Sequence, residues 1–368
     1  MRLFAVARKE WIQLKRDPRS MILAFVLPLF LLIFFGYAIS FDIDDIQIAV
    51  VDGDRSRESR ELVEAFVASG YFSVAVQPES VADIDDLLTR RTVLGALTIP
   101  PGYATDLATP GRSAEIQLLL DGSDANTTTI ALNYADAILA RHGASRSGIT
   151  IAPPVTLQSR TWYNPTLESR HMIVPGLIAV IMSIIAAMLT ALTIAREWER
   201  GTMEQLAATP VSRLEVVLGK LLPYIAIGFF DVVTIVVAGI VIFDTPFNGN
   251  VFLLAALTLL FLIGALGLGM FISAAVKSQV LATQVAMVAT YLPAVLLSGF
   301  LFDIASMPTV LQGVTFLVPA RYFITVTRGI LLKGVGMDVL WLQGLLMLAY
   351  AVIGLALAVR VFRKELEA

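Results

Sequence analysis

Cysteine is absent from the 368 residues, and histidine occurs only twice. Without cysteine there is neither a disulfide framework nor a thiolate metal site. His142 and His171 each lack a second His or Cys at ligand spacing, so they read as surface or interfacial residues, not as ligands or general bases. Charge is sparse: Asp, Glu, Lys and Arg make up 15% of the chain, well below the roughly 25% of soluble domains. Lysine is missing altogether from residues 42–172. No phosphate loop is present either. Gly219-Lys220 imitates the end of one, but Leu214 stands where the first glycine belongs and Leu221 replaces Ser/Thr. The acidic groups Asp42, Asp44, Asp45 and Asp83, Asp85, Asp86 do not have the spacing of a calcium loop and read as solvated faces. Nucleic-acid binding is disfavoured by a net charge of −3, and no internal repeat appears.

What the chain has in abundance is long apolar runs. A hydrocarbon core of about 30 Å needs roughly 20 apolar helical residues, because lipid offers no partner to bare backbone amides. Residues 20–41, 173–195, 251–276, 278–302 and 339–359 meet that length without a charge, and residues 221–243 meet it with Asp231 as their one charge. Six such runs would leave a soluble protein almost no amphipathic surface. The expected fold is an α-helical membrane protein of six transmembrane helices with a small α/β domain inserted between the first two. The first run exceeds the roughly 7–15 residues of a signal-peptide core and is expected to remain as an anchor.

Lys and Arg resist translocation and gather on the cytoplasmic side. Arg2, Arg8, Lys9, Lys15, Arg16 and Arg19 precede the first run; Arg196, Arg200, Arg213 and Lys220 lie between the second and third; Arg360, Arg363 and Lys364 follow the last. Both termini are therefore expected in the cytoplasm, with residues 42–172 outside. Those residues are acidic in balance, and all their basic side chains are arginine.

Residues 1–19 form a basic amphipathic start. Leu3, Ala7, Trp11 and Leu14 fall on one helical face, with Lys15 and Arg16 able to reach phosphates. Asp17-Pro18 ends that helix. Two readings stay open: an interfacial helix with Trp11 at headgroup level, or a positive flank that only sets topology. Within 42–172, strand patterns at 47–51, 72–76, 93–99 and 115–120 alternate with helical patterns at 56–69, 80–91 and 125–141, the signature of a small α/β domain. Pro100-Pro101-Gly102 reads as a turn and residues 149–154 as the exit linker.

The loop at 196–220 is the most informative polar segment. Thr202-Met203-Glu204-Gln205 and Ser212-Arg213-Leu214-Glu215 both have capping-box spacing, and Pro210 separates them. The expectation is a short helix, a break, then a helix entering the third span. Met203, Leu206 and Ala207 would give the short helix an apolar edge for a partner's groove, framed by Glu197, Glu199, Arg200 and Glu204. Asp231 sits near mid-span, where a charge costs roughly 2.5–3.5 kcal/mol on insertion scales. It serves either as a pathway or interface group or as a carboxyl hydrogen-bonded to a neighbouring span. Residues 303–338 carry apolar stretches at 310–319 and 322–332, each too short to cross. They read as a re-entrant pair of half-helices, with Arg321, Arg328 and Lys333 snorkelling outward.

Glu199-Arg200-Gly201-Thr202-Met203-Glu204-Gln205-Leu206, followed by Thr209-Pro210-Val211-Ser212, resembles the cytoplasmic loop of ABC-2 type transporter permeases, in particular those with a large outer domain between spans one and two. Met307-Pro308, Pro319-Ala320-Arg321-Tyr322-Phe323 and Arg328-Gly329-Ile330-Leu331-Leu332-Lys333-Gly334 resemble the family's segment between spans five and six. The resemblance implies a permease subunit of an ATP-driven exporter of amphipathic, drug-like or lipid-like compounds in a bacterial inner membrane. It also implies a coupling helix at 201–208 that docks a separate ATP-binding subunit, with residues 2–16 as a connecting helix beside it. Pro319, Arg321, Tyr322 and Arg328 would then belong to an outer gate. Such a subunit holds no cofactor of its own, since ATP and magnesium sit on the partner. A second copy or a sibling permease completes it, and a periplasmic adaptor could meet the acidic domain. The alternative class is a receptor or sensor whose α/β domain binds a ligand. A membrane-embedded enzyme ranks below both, because the spans carry no clustered carboxylates and no nucleophile with a base.

Overall fold

The computed structural model describes residues 2–39, 45–109, 112–123, 125–146, 163–164, 168–203 and 208–362. The chain divides into two compact units, one made of Met1–Ser40 with Arg160–Ala368 and the other of Phe41–Ser159.

The smaller unit is a four-stranded sheet with helices. Strands β1 (Ile46–Asp52), β2 (Phe72–Val76), β3 (Gly95–Ile99) and β4 (Gln117–Leu120) pair in the order β2-β1-β3-β4. β1 runs parallel to β2 and β3, and β4 closes the edge antiparallel to β3. Central β1 is buried on both faces, which is why it reads as a nearly continuous apolar run. Ile46, Ile48 and Val50 pack against Leu62 and Phe66 of α3 (Arg57–Val67), while Ala49 and Val51 face a second cluster with Ile84. The expected 80–91 helix is divided into a 3-10 turn, Val81–Asp83, and α4, Ile84–Thr89. After the turn at Gly102, α5 (Tyr103–Ala108) is a helix that the pattern did not suggest. The Asp54 carboxylate accepts from the Gly102 and Ala104 N–H groups, at 2.8 and 3.1 Å, and so caps it from a distant part of the chain. α6 spans Ala125–Arg146. The proposed linker at 149–154 lies outside the described residues.

The larger unit is a helical bundle. α1 covers Arg2–Lys15. α2 is a helical run made of Pro18–Met21, a π turn at Ile22–Val26 and Leu27–Ala38. This run takes the place of the first expected span, although its regular apolar part, Ala24–Ala38, is short. α7 (Ser169–Glu199), α8 (Arg213–Phe243), α9 (Val251–Val276), α10 (Gln279–Leu296) and α13 (Met337–Val361) are each long and apolar enough to cross a membrane. Between the last two, α11 (Thr309–Thr315) and a helix of Pro319–Arg328 (α12) continued by a π turn at Gly329–Lys333 are bent by 81°. By length and composition such a bent pair is either a broken span or a re-entrant loop.

α7 is the axis of the bundle: 89% of its apolar window is buried, against 22% for α10. Small residues permit this, since helices approach closely in lipid where side chains are short. A Cβ on Gly269 of α9 would lie 2.3 Å from the Ala187 carbonyl of α7, and Gly267 meets Gly354 of α13 backbone to backbone. α10 stops at Leu296, short of the expected residue 302, because Pro293 is followed by Gly299 in the left-handed region at φ +81.

Candidate functional site: the ends of α7 and an intramembrane aspartate

The last turn of α7 closes as a Schellman motif. Thr202 N–H donates to the Glu197 carbonyl at 3.1 Å and Gly201 N–H to that of Trp198 at 3.2 Å. The motif requires a left-handed residue, and Gly201 has φ +66 with open space where a Cβ would stand. Conformation, not crowding, calls for glycine here. The sequence pattern treats Gly201 as the start of a short helix; in the structure it also terminates the long one. Met203 corrects a second expectation. Its side chain is 3% exposed and belongs to the main apolar core, so it cannot form the outward edge of a docking helix. Once the turn reverses the chain, burying such a side chain gains about 2 kcal/mol. Glu204, Gln205 and Leu206, and with them the forward half of the Thr202 box, lie outside the described residues. The second box is present in full: Glu215 N–H donates to Ser212 Oγ at 3.3 Å, and Ser212 N–H to Glu215 Oε2 at 2.8 Å.

The acidic residues of the loop also turn inward. Glu199 Oε1 accepts from Gln279 N–H at 2.7 Å and so caps α10, whose own Ser278 makes no capping bond. The backbone and side-chain amides of Gln279 hold the Glu199 carboxyl below its usual range. Glu197 is buried just beyond the apolar run of α7. Its Oε1 accepts from Lys220 at 3.1 Å and from Lys9 at 3.0 Å, and the Thr202 hydroxyl donates to its other oxygen. Burial alone would raise this carboxyl, but Lys220, the Thr202 hydroxyl and Lys9 outweigh it and hold the group at about 2. Lys220, 2% exposed, reaches Glu10 Oε2 at 2.9 Å, and the Tyr224 hydroxyl donates to Glu10 Oε1 at 3.1 Å.

These bonds fix α1 in place and turn its buried face away from Trp11, while Ala7 and Leu14 stay on it as expected. Val6, Ala7, Glu10 and Leu14 face inward, while Trp11 is exposed with Lys15 5.6 Å over its ring. A Cβ at Gly219 of α8 would stand 2.8 Å from Val6, so glycine lets α1 lie directly against α8. Arg2 donates to the Pro210 carbonyl at 2.6 Å, and Arg196 pairs with Asp17 at 3.1 Å. α1, the end of α7 and the start of α8 therefore form one polar joint. Glu10, Lys220 and Tyr224 escaped the sequence reading. The available signal was Glu10 at helical spacing between Val6 and Leu14, on an otherwise apolar face.

At the other end of α7, Arg328 donates to three carbonyls: Met172 at 3.3 Å, Gly299 at 3.1 Å and Phe300 at 3.3 Å. This overturns the snorkelling expectation for Arg328. The chain unwinds after α10, and carbonyls freed there need a donor within the bundle. Arg321 bonds to Thr315 and lies 4.0 Å over the Phe316 ring, and Tyr322 donates to the Phe316 carbonyl at 2.6 Å. Both thus lock the bend between α11 and α12, with Pro319 at the first turn of α12. Lys333 remains exposed. Beside the bend, Pro319 joins Ser183, Thr290, Pro293, Val318 and Tyr350 around an apolar cavity of about 340 Å³.

Asp231 stands apart from both groups. It is 2% exposed within α8, and its Oδ2 has no hydrogen-bond partner among the described residues. An apolar cavity of about 300 Å³ between α8 and α9 is lined by its neighbours Val232 and Val236 but not by Asp231.

Comparison with known proteins points one way. The model of a family described as ABC-2 family transporter protein matches residues 18–360. The chain is 35% identical over 359 residues to the probable multidrug ABC transporter permease YbhS of Escherichia coli (strain K12), covering 97% of this chain and 95% of the relative. It is 30% identical to the probable multidrug ABC transporter permease YbhR of the same organism, at 92% of each chain. To the inner membrane transport permease YhhJ it is 26% identical, at 87% and 85%.

Proposed function

The chain belongs to the ABC-2 transporter family, and from that premise we propose that it is the membrane half of an exporter whose nucleotide-binding subunit is a separate chain docking at the 196–220 loop. The observation that carries this reading is the polar joint. Movement of a docked partner reaches a span only through a stiff connection, and Lys220 of α8 is tied within 3.1 Å to carboxylates of both α1 and α7. With Met203 buried, the docking surface is formed by Arg200, by residues 208–212 and by the outer face of α1. Both termini and this loop lie in the cytoplasm of a bacterial inner membrane, following the Lys and Arg distribution, and the α/β unit lies outside, where an adaptor would meet it. ATP and magnesium reside on the partner, and a second permease completes the path.

The substrates are amphipathic compounds of drug size. Two relatives are named as multidrug permeases, and the cavity beside Pro319, about 340 Å³, is lined chiefly by aliphatic side chains with the Ser183, Thr290 and Tyr350 hydroxyls.

The natural absence of cysteine makes the test direct. Arg200→Cys, expressed with the ABC ATP-binding subunit, is expected to cross-link to that subunit, and Arg213→Cys to react with a membrane-impermeant maleimide only after permeabilisation. Ser123→Cys is expected to react in intact cells. A loop that is labelled from outside, or an Arg200→Cys that never captures the ATP-binding subunit in active transporter, overturns the assignment.

A further inference from the structure

We propose that the cleft bounded by α1, α7 and the start of α10 is a binding site for the phosphate of an anionic phospholipid. The cleft has a volume of about 790 Å³, and Lys9, Arg16, Arg196 and Arg200 line it with Asp17 as the opposing charge. Lys9 is engaged by Glu197, and Arg196 Nη2 by Asp17. Arg16 and Arg200 have no side-chain partner among the described residues. Arg196 is itself more than nine-tenths buried, yet its Nε is buried without a hydrogen-bond partner. The cleft thus carries two uncompensated cations, Arg16 and Arg200, with Gln13 on the same wall.

The apolar part of the lining distinguishes a lipid from a free anion. Leu192, inside the apolar run of α7, and Ile12, 42% exposed, also line the cleft, and the residues after Gln279, Val280 and Leu281, are exposed. Cations at one end and an aliphatic exit along the spans match a headgroup with its acyl chains. Basic pockets between helices at this membrane boundary take anionic headgroups, and exposed Trp11 with Lys15 above it marks the same boundary. The inference depends on this end of the bundle lying at the membrane surface. It does not depend on the docking of an ATP-binding subunit, which the cross-linking above tests separately.

The experiment uses the full chain, delipidated in detergent and titrated with phosphatidylglycerol, with phosphatidylcholine of the same acyl chains, or with inorganic phosphate, reading bound lipid by native mass spectrometry. The expected result is a preference for phosphatidylglycerol of about tenfold or more, equivalent to about 1.4 kcal/mol. Arg16→Gln with Arg200→Gln should abolish that preference, and both side chains are exposed and unpartnered, so no internal contact is lost. Gln13→Glu, which adds a carboxylate to the wall, should lower it as well. Arg8→Gln, an exposed cation of α1 outside the cleft, should leave it intact. The proposal is overturned if the double variant keeps the preference, if Arg8→Gln removes it equally, or if inorganic phosphate displaces the lipid completely.

Discussion

Helix α7 is fastened at both ends by cationic side chains, but the acceptors differ. At its first turns Arg328 binds backbone carbonyls of Met172, Gly299 and Phe300. At its last turn Lys9 and Lys220 bind the carboxylates of Glu197 and Glu10. Carboxylates cancel the charge they meet, so Lys220, Glu10 and Glu197 can all be 2–3% exposed. Carbonyls offer only partial charge, and Arg328 stays half-buried. Pulling apart a dry ion pair strands charge in a low dielectric, whereas a half-buried guanidinium can exchange one carbonyl for water at a time. The loop end therefore resists separation more strongly than the bend end does.

The largest break in that contrast should come from Lys220→Met, which leaves two buried carboxylates facing each other. Removing one partner of such a group costs about 3–5 kcal/mol, read as a fall in the unfolding midpoint of the purified protein. Adding Glu10→Gln and Glu197→Gln to it should recover most of the loss, since the stranded charge is gone. Arg328→Ala should cost less, about 2–3 kcal/mol, because water can reach the carbonyls that Arg328 leaves. It should also raise proteolysis at 297–302 without loosening α1. Gly201→Ala should have the smallest effect, about 1–2 kcal/mol, from the left-handed backbone alone. A loss at Gly201→Ala as large as at Lys220→Met would mean that the turn, not the ion pairs, holds the joint.

Most of the architecture was legible because its causes are local. Apolar length marks spans, and five of the six expected runs are single helices long enough to cross. Alternating strand and helix patterns located all four strands of the small unit to within two residues. Ser212 and Glu215 cap α8 through neighbours three residues apart, a spacing visible in the sequence. Helix α5 was missed because its cap, Asp54, comes from 48 residues earlier. The inward turn of Met203 and the carbonyl cradle of Arg328 were missed for the same kind of reason.

The sequence by itself settled that this chain crosses a membrane several times, where a folded α/β unit is inserted and that Ser212 and Glu215 cap the start of α8. Each follows from composition and spacing over a few turns, and lipid tolerates few alternatives. Only the tertiary structure decided which charges face inward. Glu10 and Lys220 meet across 210 residues of chain, and neither position in the sequence identifies the other as its partner. A buried charge is stable only when its partner is present, and a one-dimensional pattern does not say which distant residue that partner is.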